Sequence, residues 1–457
     1  MHPNEITTTF CILPWIHLST RSNGHMRLCC TANASSADVT NDKKYGGEIG
    51  IIKENDGIPS NLGHHDMLES WNNDFMRSVR LAMLNGIIPH PCAKCFKEEV
   101  AGHSSKRMWE TDFWSNILDI KKLVEETNED GSIPKMIRYF DLRMGTKCDL
   151  KCIMCSPHDS SLWVGDWGKI YPKIKNESLK ELLQWNNSGR YDGASYNWYK
   201  NNPSFWEQLY AQIPHTYQMY MAGGEALIIK EYEKMLDKII EMGHAHHILL
   251  RYNSNALTLS DSLIDKWKHF KRVRFHFSID SIEEMNKYIR WPTDWNIILE
   301  QLNRLDNTSD NVEVTVACAV QMLNIYYIPD FIKWKLNQGY KKINAWPLGG
   351  GLINFHLVYH PAFLNIKVFP QWFKDKIAEK FEDFYVWLKN NYRNDELFNS
   401  GWGLPRLKGL ISFMQSEDWS QRMPEFREYI KLVDEVRNTD FKKTFPEMGG
   451  LLDEESD

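Results

Sequence analysis

The chain has no excess of basic residues: 54 Lys and Arg stand against 60 Asp and Glu, a net charge of −6. Nucleic acid is therefore not expected as an obligatory partner, because no basic surplus answers a phosphate backbone. Long hydrophobic runs are missing as well. None reaches the roughly 18 residues that a membrane-crossing helix needs, so no membrane partner is expected. Internal repeats and low-complexity tracts are absent, which leaves ordinary globular domains. No export signal is read at the start: Met1 to Phe10 has no basic segment, and Pro14 interrupts the short apolar run that follows. Nine cysteines without such a signal point to a reducing cytoplasm, where clustered thiols mean metal more often than disulfide. What is present fits that frame. The 457 residues can form two or three domains. A charged fraction of 25% and a mean hydropathy of −0.49 are ordinary for a soluble protein. The expectation is a cytoplasmic metalloprotein.

Three of the nine cysteines are tightly spaced. Cys148, Cys152 and Cys155 follow an apolar stretch, Ile137 to Leu142, as Cys-Asp-Leu-Lys-Cys-Ile-Met-Cys. Three thiolates on one loop can hold three irons of a cubane cluster and leave the fourth iron open to a small molecule. A zinc knuckle is the competing reading, but it needs a fourth ligand, and His158 is the only local candidate. The CxxxCxxC spacing after a strand resembles the cluster motif of the radical S-adenosylmethionine (SAM) superfamily. That resemblance implies a [4Fe-4S] cluster whose open iron chelates SAM, and reductive cleavage of SAM to a 5′-deoxyadenosyl radical.

Five cysteines lie before residue 100: Cys11, Cys29, Cys30, Cys92 and Cys95. Cys92-Ala-Lys-Cys95 can offer two thiolates to one site. Cys11 and Cys29 flank a hairpin-like stretch with Ser22-Asn23-Gly24 at its tip, which can bring both beside that pair. The arrangement resembles the twitch domain, the short form of the auxiliary-cluster domain called SPASM, here placed before the barrel. The resemblance implies an auxiliary [4Fe-4S] cluster on Cys11, Cys29, Cys92 and Cys95. Cys30 is the spare, since Gly24-x4-Cys29 matches the family spacing. A structural zinc on four cysteines remains the alternative.

Between residues 136 and 350 strands alternate with helices, the signature of a parallel sheet with crossover helices. Strands are expected at Met136–Leu142, Gln218–Gly223, His247–Asn255, Val273–Asp280, Glu313–Gln321 and Lys342–Leu348. Helices are expected at Tyr232–Met242, Ser262–Phe270 and Trp295–Leu305. Six strands suit the open partial (β/α)6 TIM-like barrel of radical SAM enzymes, with chemistry at the C-terminal strand ends. Alternation puts Arg274, His276, Ser278 and Asp280 on one face of the fourth strand, and Arg251, Asn253 and Asn255 on one face of the third. Covering helices would deny these faces solvent, so a polar, ligand-lined lumen is expected. Arg274, His276 and Arg251 are the candidates there for positioning a substrate or accepting its proton. Cys318 is read as a small apolar residue.

The motifs at the strand ends extend the resemblance. Gly223-Gly224-Glu225 looks like the GGEP segment that grips the SAM amino group, with Ala226 replacing proline. Asn253-Ser-Asn255 resembles the TNG-type segment. Ser278 and Asp280 fall at the ribose site, Arg290 where an arginine faces the SAM carboxylate, and Gln321 with Asn324 near the adenosine. As residues alone, Asp280 is equally readable as a helix cap and Arg290 as half of a surface ion pair.

Domains are expected at 1–110 (twitch-like), 136–350 (barrel, with a Trp-rich insertion over 156–214) and 360–450 (helical). Tyr196, Trp198, Tyr199, Phe205 and Trp206 suit either aromatic core or a stacking surface. The segment from Leu432 to Glu447 resembles the C-terminal end of twitch proteins, and the acidic tail from Asp453 is expected to be disordered. The resemblance implies a radical SAM enzyme that abstracts a hydrogen from a small polar substrate, with net dehydrogenation assisted by the auxiliary cluster. A flavodoxin or ferredoxin would supply the reducing electron. The alternatives are cross-linking or epimerisation of a peptide substrate, or, in another class, a zinc-bearing scaffold with a degenerate barrel.

Overall fold

The computed structural model describes residues 7–32, 50–100, 104–183, 195–344, 352–392 and 403–453. Ten strands occur among them. They are β1 His17–Thr20, β2 Met26–Arg27, β3 Tyr139–Arg143, β4 Lys151–Cys152, β5 Gln218–Ala222, β6 Leu249–Ser254, β7 Arg272–Ser278, β8 Arg290–Trp291, β9 Val312–Val320 and β10 Asn354–Leu357. Eight of these form a largely parallel sheet in the order β10-β9-β7-β6-β5-β3-β1-β2, while β4 and β8 pair separately. The chain divides into two compact units. The first holds Met1–Thr146, Asp192–Arg251 and His269–Lys271; the second holds Lys147–Tyr191, Tyr252–Lys268 and Arg272–Asp457.

In the first unit β1 and β2 form an antiparallel hairpin, and Gly24 at its tip has φ of 86°, a conformation that favours glycine. β1 runs parallel to β3, and β3 parallel to β5. Phe140, Leu142, Met219 and Met221 line one face of this sheet and are fully buried. The helix Lys230–Glu241 turns Tyr232 inward, and its hydroxyl donates to the Leu142 and Ala222 carbonyls at 2.7 and 3.1 Å, tying the ends of β3 and β5 together. β1 was not expected in this sheet: the N-terminal segment reads as a separate cysteine-rich domain, yet His17 to Ser19 pair with Tyr139 to Asp141.

In the second unit β7 lies parallel to β9, and β9 to β10. Phe275, Phe277, Val314 and Val316 make its buried apolar face. The helices Asp261–Trp267 and Trp295–Asp306 stand where expected. The expected strand at Lys342–Leu348 does not. Residues 342 to 344 are bend and turn, 345 to 348 lie outside the described residues, and the strand beside β9 is β10. Two long helices follow. Gln371–Asn391 buries Phe373, Ile377, Phe381, Phe384 and Leu388, and Met423–Arg437 buries Phe426, Ile430 and Val433, both at the three-and-four spacing of one helix face.

The tryptophans of 156–214 serve packing. Trp163 and Trp167 are buried in the second unit and Trp198 in the first, while Trp185 lies outside the described residues. Trp206 donates its indole N–H to the Tyr199 carbonyl at 2.8 Å. Among the described residues no helix is long and apolar enough to cross a membrane.

Candidate functional site

The second unit carries the Cys148–Cys155 loop. Its middle is β4, which pairs antiparallel with β8 so that Cys152 stands opposite Arg290. The fold pins this loop from several sides. Trp163 donates to the Cys152 carbonyl at 2.9 Å, Ser160 to the Leu150 carbonyl at 2.6 Å, and the Cys155 amide to the Cys152 carbonyl at 3.0 Å. Cys152 is buried, and Cys148 and Cys155 are partly exposed. The Cys155 thiol, hydrogen-bonded to Cys152, pulls the Cys152 pKa below its ordinary value; Arg290 adds to this, with one guanidinium nitrogen 3.9 Å from the sulfur. Cys155 is pushed the other way by the same bond and by burial.

Around this loop the second unit gathers most of the predicted SAM-pocket residues. Arg290 Nε meets Asp280 Oδ2 at 2.8 Å, and the other Asp280 oxygen accepts from the Ala319 amide at 2.6 Å. Asp280 is fully buried and Arg290 nearly so, so this is neither a helix cap nor a surface pair. Asn255 donates to Asp149 Oδ1 at 2.6 Å, beside Cys148. Gln321 is completely buried, and among the described residues neither of its side-chain amide atoms has a hydrogen-bond partner. Such an amide costs stability unless a ligand or water completes it. Asn324, by contrast, is occupied, donating to the Asp280 and Ala319 carbonyls. Asn253 is exposed and Ser278 half-buried. Arg274 pairs with Glu313 at 2.8 Å and His276 with the Thr315 hydroxyl at 2.7 Å, each across the β7–β9 register. Cys318 is buried against the Asp280 carbonyl, which with its raised pKa suits a packing role.

In the first unit Cys11, Cys29, Cys92 and Cys95 line one cavity, together with Lys106 and Arg107. Cys11 precedes the short helix Leu13–Ile16, Cys29 follows β2, and Cys92 and Cys95 flank the start of the helix Ala93–Val100. Burial, and then the neighbouring thiols, push Cys11 and Cys92 well above the ordinary thiol range. Cys30 is not in this lining. It lies near enough to Arg27, Lys106, Arg143 and Arg251 to act on their charges. Among the described residues no three His, Cys, Asp or Glu side chains converge as ligands of one ion. A cubane cluster spreads its thiolates over separate irons and sets a different spacing.

The Gly223-Gly224-Glu225 turn also belongs to the first unit. Both glycines have positive φ, 85° and 47°, and Glu225 is buried, capping the short 3-10 turn that follows by accepting from the Leu227 amide. A side chain at position 223 would stand 2.9 Å from Arg143 Cβ, so this backbone approaches β3 as closely as glycine allows.

The polar face expected of β6 at Arg251 extends in the first unit over β1, β3 and β5, which was not anticipated. The register sets His17 beside Tyr139 and Gln218, and Ser19 beside Asp141 and Tyr220. Arg251 lies over the Tyr220 ring at 5.5 Å. The helix Lys106–Ser115 contributes Lys106 and Glu110, paired at 2.7 Å, and Trp114, whose indole donates to Glu110. Burial pushes the His17 pKa down to about 4, against the opposite pull of Asp141 and Glu110 and with Lys106 and Arg27 adding to the depression.

That depression has a measurable consequence. In the unfolded chain a histidine protonates near pH 6.5, so between about 6.5 and about 4 the unfolded state binds the extra proton. The stability due to neutral His17 is complete above pH 6.5 and is lost as pH falls through that window, by about 3 kcal/mol in all. Urea midpoints at pH 7 and 4.5 should therefore differ less for His17→Gln than for the natural chain. An equal pH dependence would contradict the burial of a neutral ring.

No family model matches the chain. No curated protein matches it. Among solved structures, one of TYW1 with a lysine-pyruvate adduct bound is similar over 52% of this chain and 70% of that one, at 14% identity and a TM-score of 0.27. So distant a likeness assigns no chemistry; the side chains must.

Proposed function

We propose that the chain is a radical SAM enzyme, an open (β/α)6 barrel with an N-terminal twitch-like domain, which oxidises a small polar substrate. One observation supports this most. Three cysteines of a single braced loop stand beside a largely buried arginine, and an orphaned amide, Gln321, is buried in the same unit. Their donor set suits a [4Fe-4S] cluster with one open iron. When bound, that cluster supplies the electron that opens the SAM sulfonium and yields a 5′-deoxyadenosyl radical.

The remaining work falls to the protein. Arg290, held by Asp280, keeps a positive charge against Cys152 and favours its thiolate. Gln321 offers two N–H donors and a carbonyl acceptor to the bound cofactor. The two glycines of the 223–225 turn leave backbone groups open to close approach. Arg274, His276 and Arg251 are read as positioning groups for the substrate. Cys11, Cys29, Cys92 and Cys95 would hold an auxiliary cluster, which would supply an electron acceptor. With such an acceptor the net change would be a two-electron oxidation, in which the substrate would lose one hydrogen atom, one proton and one electron.

The composition of the protein tests this reading. Anaerobically purified chain should carry roughly eight irons and as many acid-labile sulfides. Stoichiometric zinc at either site would overturn the corresponding assignment.

A further inference from the structure

The polar face of the first unit holds an unusual concentration of buried, unpartnered atoms. Among the described residues, both His17 ring nitrogens, Asp141 Oδ1, Gln218 Nε2, and one nitrogen each of Arg27, Arg143 and Arg251 find no hydrogen-bond partner. His17, Asp141 and Gln218 are each only 1% exposed, so bulk water does not satisfy them. The register places His17, Asp141 and Gln218 on one face, with Arg143 one step further along β3. Each orphaned buried polar atom costs stability. A fold keeps such a set together where something else completes it.

The charges say what that is. Lys106 and Glu110 close on each other at 2.7 Å. Arg27 and Arg143 share the single carboxylate of Asp141 at 3.7 and 3.5 Å, distances too long for good hydrogen bonds. Among the described residues Arg251 has no carboxylate within ion-pair distance, Glu110 acts on it from further off, and it rests on the Tyr220 ring. Three guanidiniums and one ammonium therefore stand against two acids, Asp141 and Glu110, which leaves a surplus of positive charge. A guanidinium is a planar fork that matches carboxylate and phosphate oxygens. The Gly223 turn, packed against Arg143, brings open backbone to the edge of the same cluster.

We propose that this face binds an anionic group, a carboxylate or a phosphate, of the enzyme's substrate, with Arg27, Arg143 and Arg251 as its counter-charges. The proposal rests on the reading above for the word substrate; the anion site itself does not.

Calorimetry on the full, anaerobically purified chain tests it, with inorganic phosphate and acetate as separate probes and no SAM present. One saturable site per chain is expected, and whichever probe binds more tightly identifies the group. Arg143→Gln and Arg251→Gln should each weaken binding at least tenfold, whereas Asp141→Asn should tighten it. A merely structural face would not give opposite signs. Absence of saturable binding for both probes would overturn the proposal. So would unchanged affinity in both arginine variants, or displacement of the probe by SAM, which would make this the cofactor's own carboxylate pocket. Failure of the radical reading shows elsewhere: SAM would stay intact while the anion still binds.

Discussion

Changing Cys148, Cys152 and Cys155 together to alanine lowers 5′-deoxyadenosine formation to that of a protein-free control and removes about half of the iron, from roughly eight atoms per chain to four. The loss is local. The three thiols sit on one loop, and its backbone is held by Trp163, Ser160 and the β4–β8 pairing rather than by sulfur. Leu150 and Ile153, buried between the cysteines, keep their packing in the variant. The four cysteines of the first unit are untouched, so their iron should remain. Chromatography of the product and iron analysis of the folded variant read both effects. Continued SAM cleavage would show that these thiolates are not the site.

Replacing Arg290 by methionine should cost roughly 3–5 kcal/mol of stability, because it strands a buried carboxylate. Asp280 is fully buried, and burial already raises its pKa while Arg290 opposes that shift. One Asp280 oxygen still holds the Ala319 amide, but the other loses its partner. A second change, Asp280→Leu, should recover most of the loss by removing the stranded charge. Urea midpoints of the single and double variants measure the difference. A loss below about 1 kcal/mol would be the cost of an exposed pair and would contradict the burial.

Much of this was legible in the sequence. The periodicity of residues 218–320 marks β5, β6, β7 and β9 within two residues at each end, and the spacing of Phe373 to Leu388 marks the face of a long helix. Strand alternation does not say which partners a polar side chain finds. Arg274 and His276 look like free lumen groups in sequence, but cross-strand register hands them Glu313 and Thr315. Asp280 and Arg290 look ordinary ten residues apart, and only the fold buries them as a pair. The β1–β2 hairpin was legible in its Ser22-Asn23-Gly24 tip, but the pairing of β1 with β3 was not, because four residues carry too little pattern and β3 lies more than 100 residues away. The polar face of the first unit had a readable signal in Tyr-Phe-Asp-Leu-Arg at 139–143, where polar and apolar residues alternate. What the sequence does not contain is the register that lines Asp141 up with Ser19 and Tyr220.

The central claim is that the Cys148–Cys155 loop supports reductive SAM cleavage. Incubating the iron-loaded, natural chain anaerobically with SAM and dithionite tests it most directly, with 5′-deoxyadenosine quantified against time. Accumulation of 5′-deoxyadenosine with matching loss of SAM, absent without dithionite, is expected. Intact SAM in a chain that carries its full iron and sulfide would contradict it.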